Sequence, residues 1–171
     1  MELAGIADHL ICNSIIGVDT GALTSFFYPF SEREKIYELY EEMCGARLTT
    51  NIGRIGGFDK DFTPVFHEKL KNFLRTFPKA FEEWNGMLER NRIFMDRTKG
   101  AGPISAERAL AFGFTGPNLR AAGVDYDVRV MHPYSSYEDF DFIIPVGVNG
   151  DTYDRFMVRQ EEIRQRIRII E

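Results

Sequence analysis

An aspartate caught between two apolar runs constrains this chain most. Asp19 follows Ile15, Ile16 and Val18 and precedes Phe26, Phe27, Tyr28 and Phe30, with Gly17 and Gly21 on either side. A carboxylate in apolar surroundings must be paired, hydrogen-bonded or protonated, because desolvation disfavours its charged form. Two readings follow. Asp19 either caps a helix, its side chain accepting a backbone N–H, or it carries chemistry. The rings beside it belong to a wider surplus. Fifteen Phe, seven Tyr and one Trp make 13% of the 171 residues aromatic. One core of this size does not hide so many, so a share is expected to face another subunit or line a cavity.

The hydrophobic spacing around that stretch is mostly helical. Leu3, Ile6, Leu10 and Cys12 recur at helical spacing over 2–16, with Ala7, Ile11 and Ile15 widening the stripe. Ser31 and Glu34 form a capping box ahead of Ile36, Leu39, Tyr40 and Met43, and Gly45 suits the C′ position. Thr63-Pro64 predicts a helix start, with Phe66, Leu70, Phe73 and Phe77 on one face; Pro78 is expected to kink or split it before Phe81, Trp84 and Leu88. Ser105 caps a short helix that Gly113 ends, and a last helix runs from about Thr152 to Ile170. Two stretches read as β: 46–58, with a turn at Gly56-Gly57, and the strand-like Asp139–Val146. The expectation is a mainly α fold, an up-and-down helical group with one or two small β elements, in one partial domain over 1–171. Helices that start at residue 2 and stop at Glu171 without caps suggest the central part of something longer.

Other signals exclude classes. The net charge of −5 gives no electrostatic case for nucleic acid. Cys12 and Cys44 form no C-x-x-C, and Lys71 stands where a zinc helix begun at His67 would need its second histidine. No metal site is expected, and both thiols are expected reduced. Gly53 and Gly56-Gly57 make no dinucleotide fingerprint, no apolar run approaches the roughly 20 residues of a membrane span, and Met1–Ile6 lacks a signal peptide's basic start. His67 reads as a surface residue and His9 as a structural one. Two arginines stand out. Arg54, among glycines and isoleucines, calls for a carboxylate partner or an anionic ligand. Arg120, among small residues, either satisfies local carbonyls or sits near a partner or cofactor.

Several ordered blocks carry a resemblance. Asp19-Thr20-Gly21-Ala22-Leu23-Thr24-Ser25-Phe26-Phe27-Tyr28 with Glu32-Arg33-Glu34 resembles the L-D-x-G-A-x-T-P-F-F…E-R-E signature of the D-type, quinone-site subunit of respiratory NADH–quinone oxidoreductase, complex I. Arg54-Ile55-Gly56-Gly57, Thr115-Gly116-Pro117, Leu119-Arg120-Ala121-Ala122-Gly123, Pro133-Tyr134 and Gly150-Asp151-Thr152-Tyr153-Asp154-Arg155 match further blocks in order. The family shares its fold with the large subunits of nickel–iron hydrogenases, whose metal pair needs the cysteine pairs this sequence lacks. The resemblance implies a chamber where ubiquinone or menaquinone takes electrons from the terminal iron–sulfur cluster of a partner subunit. No cofactor would be bound by this chain alone. It also implies other complex I subunits and a membrane arm as partners, on the cytoplasmic face of the bacterial inner membrane. Asp19 matches the acid that hydrogen-bonds the quinone-binding histidine. Arg54 matches an arginine near the cluster, and Ile11, Phe30 and Leu48 match positions around the quinone cavity. Arg120 falls to structure or an interface. The family's headgroup histidine and tyrosine lie upstream of this sequence, and Thr49 stands where many relatives have a histidine near the cluster. The chain alone is then expected to lack quinone reductase activity; the alternatives are the large subunit of a membrane-bound nickel–iron hydrogenase-type enzyme, or a non-catalytic scaffold.

Overall fold

The computed structural model describes residues 1–171. Eight helices and one two-stranded hairpin make it up: α1 Glu2–Asp19, α2 Thr24–Cys44, β1 Gly53–Arg54, β2 Gly57–Phe58, α3 Pro64–Leu88, α4 Arg92–Thr98, α5 Ala106–Ala111, α6 Gly116–Ala121, α7 Val128–Met131 and α8 Thr152–Ile170, with a 3-10 turn at Tyr137–Asp139. The mainly α expectation is borne out.

α1 and α2 form a tight hairpin, α3 packs on α2, and α8 lies against α1, α6, α3 and α4. The main core joins Ile6 and Leu10 of α1, Ile36 and Leu39 of α2, Phe73, Phe77 and Trp84 of α3, and Phe156 and Ile163 of α8. Each such side chain contributes on the order of 1.5–3 kcal/mol through burial. α8 occupies the centre although it is rich in charge. Arg159, Gln160, Glu162 and Gln165 are buried beside its isoleucines; the fold supplies polar partners for Arg159, Glu162 and Gln165, while neither amide atom of Gln160 has one.

Several expectations change. α2 begins at Thr24 rather than Ser31, running through Pro29. Ser25, Pro29, Glu32, Ile36 and Leu39 are buried at helical spacing, so packing on α1 extends the helix past the local cap signal. Ser31 is an exposed residue inside it. α3 is unbroken at Pro78. The proline is exposed while Phe77 and Phe81 are buried, so the lost main-chain bond falls on the solvent side and the aromatic stripe stays continuous. The 46–58 stretch does form a hairpin, but its pairs are Gly53 with Phe58 and Arg54 with Gly57, which puts the turn at Ile55-Gly56.

The strand expected over 139–146 is absent. This segment has no neighbouring strand. Ile143 N–H donates to Gln165 Oε1 at 3.0 Å, and Gly147 N–H donates to the Arg120 carbonyl at 2.9 Å. Where capping chemistry was read correctly, geometry agrees. Thr63 Oγ1 accepts from Phe66 N–H at 3.0 Å, and Gly45 takes φ +78° after α2.

Candidate functional site

The corner between α1 and α2 is built by close packing. A Cβ on Gly17 would lie 2.5 Å from Ser25 Oγ, so only glycine lets α2 start this near. Ser25 Oγ donates to the Ala22 carbonyl at 2.7 Å, and Thr20 Oγ1 donates back to Ile16 and Gly17 at 2.9 Å each. Gly21 turns the chain with φ +90°. From α4, Arg97 Nη1 donates to the Thr20 carbonyl at 2.5 Å. The corner backbone is thus held from three directions.

Asp19 ends α1, and the capping reading fails there: the N-cap of α2 is Leu23, with no side-chain bond. Its carboxylate is exposed, without a hydrogen bond or ion pair in the chain. It also sits at the negative end of the helix dipole, where an acid is disfavoured by about 0.3–1 kcal/mol. Around it Leu23 and Phe27 are 60% and 61% exposed, and Tyr28 is exposed as well. The corner therefore presents an unpaired acid in an apolar surface, set there against the helix's own electrostatics.

The other sequence-predicted residues are dispersed. Phe30 is half-buried and stacks on Phe26 at 4.0 Å between ring centroids. Ile11 is half-buried on α1. The antiparallel hairpin sets Ile11 and Phe30 at similar levels, roughly 10–12 Å along the helices from the corner. Leu48 is exposed beyond the far end of α2. Arg54 lies further on, in the hairpin, exposed, with Nε 3.5 Å from Asp59 and Nη1 2.9 Å from the Asn51 carbonyl. It has the carboxylate partner the sequence called for, though in a polar loop rather than apolar company. With 21 residues in α2, these two stand about 30 Å from Asp19.

The structure gathers a different set of groups. His9 Nε2 lies 2.6 Å from Glu162 Oε2, and both are buried. Arg120 Nε donates to Glu162 Oε1 at 3.0 Å and Nη1 to the Tyr126 carbonyl at 2.9 Å; a second guanidinium contact, through Nη2, also reaches Glu162. Asp127 Oδ2 is 3.4 Å from Arg120 and 2.8 Å from Arg129. Arg129 and Arg166 reach Glu2 at 3.2 and 2.7 Å, and Tyr137 donates its hydroxyl to Glu2. Three carboxylates meet three guanidiniums there, and the exposed carboxylate of Asp8 lies 3.6 Å from His9 Nδ1. Burial alone would raise the carboxyl of Glu162, but the His9 hydrogen bond and the Arg120 charge outweigh it and hold it at about 2. Arg120 thus satisfies a local carbonyl, as one reading had it, and anchors this cluster.

Of this cluster, only His9 and Arg120 drew notice in the sequence. The missed signal was present: Glu162 and Arg166 fall at core spacing among Phe156, Ile163 and Ile167. The cluster borders a cleft of about 460 Å3 that Tyr126 and Tyr134 also line. Chemically it can lock α1, α6, α7 and α8 together. Cys12 and Cys44 are free thiols on separate helices, and no three His, Cys, Asp or Glu side chains converge on a metal position. These residues do not fit an iron–sulfur cluster.

Residues 19–171 match the family described as "Respiratory-chain NADH dehydrogenase, 49 Kd subunit". Over 170 residues, 99% of the chain, it is 68% identical to the NADH-quinone oxidoreductase D subunit of Flavobacterium johnsoniae. It is 65% identical to the D 2 subunit of the Cytophaga hutchinsonii enzyme and 51% identical to the D subunit of the Leptospira biflexa enzyme, again over 99% of the chain. The chain spans 41%, 43% and 42% of the lengths of these three relatives. By its extended match, this chain belongs to the respiratory-chain NADH dehydrogenase 49 Kd subunit family.

Proposed function

We propose that this chain forms part of the quinone chamber of a proton-pumping NADH:quinone oxidoreductase, complex I, and that Asp19 serves the headgroup site. The observation that carries the proposal is the α1–α2 corner. A carboxylate left unpaired beside exposed Leu23, Phe27 and Tyr28 is suited to a partner brought by another surface. That partner is the family's upstream histidine. A carboxylate accepting from one imidazole N–H orients the ring and raises its proton affinity. The other ring nitrogen can then deliver a proton to the quinone oxygen as electrons arrive. Reduction of quinone to quinol takes two electrons and two protons; this histidine supplies one proton, and the family's upstream headgroup tyrosine is placed to supply the other.

The electrons come from the terminal iron–sulfur cluster, which we assign to a partner subunit. Ile11, Phe30 and Leu48 supply apolar wall, and Arg54 stands toward the cluster as a fixed positive charge. Thr49 is exposed and carries no titratable group, so this position holds no proton at the cluster. No helix is long and apolar enough to cross a membrane. We place the chain as a peripheral subunit on the cytoplasmic face of the bacterial inner membrane, between the iron–sulfur partner and the membrane arm.

A photoreactive quinone analogue tests this in the purified assembly. The expected result is labelling of peptides spanning Ile11–Phe30 or Leu48, suppressed by excess natural quinone. Labelling confined to other subunits would overturn the proposal.

A further inference from the structure

A second cleft, of about 490 Å3, opens where α1, α5, α6 and α8 meet. Its size is that of small-ligand sites. Arg108, Arg155 and Arg159 line it, with Asn118 and Thr152, and Ile16 and Phe114 give it apolar wall; no carboxylate lines it. This separates it from the first cleft, where each arginine meets an acid.

Arg155 and Arg159 stand one turn apart on α8 and take part in no ion pair. Arg159 is 9% exposed. Neutral groups hold both side chains: Arg155 Nη1 donates to the Gly150 carbonyl at 2.7 Å and Nη2 to Gly102 at 3.0 Å. Arg159 Nη1 donates to the Arg155 carbonyl at 2.9 Å and Nη2 to Asn118 Oδ1 at 2.8 Å. These bonds fix the guanidiniums but leave their charge. Of the nearby acids, Asp151 accepts from Gly100 and Asp154 N–H, Asp154 accepts from Val148 and Asn149 N–H, and Asp8, exposed on α1, feels the charge of Arg159 without forming an ion pair with it. Burial, then the positive charge of Arg159, lowers the pKa of Arg155 against the smaller opposing pull of Asp151 and Asp154. Two positioned, like-charged guanidiniums at a ligand-sized cleft, with an amide N–H2 free beside them once Asn118 Oδ1 is taken, form an oxyanion cradle.

We propose that this cleft binds a small organic oxyanion, a phosphate or a carboxylate, between Arg155 and Arg159, with its apolar part against Ile16 and Phe114. The inference does not rest on the quinone reading, since it uses none of that site's residues and its test reads binding rather than turnover.

The test uses the complete protein, purified in the assembly in which it occurs. Binding of radiolabelled inorganic phosphate is measured by equilibrium dialysis at constant ionic strength. One saturable site per chain is expected, displaced by an alkyl phosphate or an alkyl carboxylate but not by chloride. Whichever competitor displaces at the lower concentration identifies the headgroup. Arg159→Gln should weaken binding at least about tenfold. Asn118→Asp guards against loss of fold. It is nearly isosteric and places a carboxylate on Arg159 Nη2, so it should fold, stabilise the chain and weaken phosphate by a similar factor. Absence of saturable binding to the wild type would overturn the proposal, as it would if an acidic side chain of the assembly filled the cleft. Equal binding by wild type and Asn118→Asp would overturn it too.

Discussion

Glu162 is the residue on which the interior depends most. It accepts from Arg120 and from His9 while almost wholly shielded from water. Removing one member of a buried charged set leaves the others uncompensated, at a cost of about 3–5 kcal/mol. Glu162→Ala is therefore expected to lower the urea midpoint by that amount divided by the slope, with the slope itself unchanged. The same residue sets an acid limit. Its folded pKa of about 2 lies below the ordinary 4.5. The stability it contributes is thus complete above about pH 4.5 and lost as pH falls toward 2. A shift of that size corresponds to about 3 kcal/mol. Denaturant titrations across this range should show that loss in the wild type and a flatter profile in Glu162→Gln. Asp19 is the opposite case. It is exposed at the wrong end of the α1 dipole, so Asp19→Asn should leave stability unchanged or raise it by up to about 1 kcal/mol.

At the scale of elements, the α1–α2 corner rests on one close approach. Gly17→Ala would push a methyl group to within 2.5 Å of Ser25 Oγ and 3.3 Å of Leu88. Overpacking of this kind costs about 1–3 kcal/mol. Calorimetric melting should show the loss, and Ser25→Gly in the same chain should restore part of it, because the hydroxyl is the nearer obstacle. The elements also show how much could be read beforehand. Thr63, Ser105 and Gly45 encode their ends locally, through a side-chain bond or a left-handed φ, so those ends were legible. Ser31 offers the same local signal, but the buried face from Ser25 onward overrides it. α4, with Asn91 accepting from Phe94 N–H, spans seven residues, too few to show a period. Asp139–Val146 has strand composition, but strands need neighbours, and Gln165 takes the bond at Ile143. The site divides in the same way. Asp19 is conspicuous because its neighbours in sequence are apolar. The His9–Glu162 pair joins residues 153 positions apart, a distance across which one sequence carries no pairing signal.

Over the whole molecule, charge is drawn inside and aromatic surface is left outside. α8 brings Arg159 and Glu162 to the centre, while Leu23, Phe27, Tyr28, Phe58 and Phe112 face outward. This inverts the usual economy of a self-sufficient domain and fits a subunit whose surfaces meet other proteins. Phe27→Ser is then expected to change folding stability by less than about 0.5 kcal/mol, yet to lower the yield of assembled complex on a native gel. The central claim is that the corner acid works with a partner from outside these residues, and steady-state quinone reduction by the assembled enzyme carrying Asp19→Asn tests it most directly. Normal assembly with turnover reduced at least about tenfold, the lower end of what a positioning partner supplies, is the predicted result. An assembled variant that reduces quinone at the wild-type rate would contradict it.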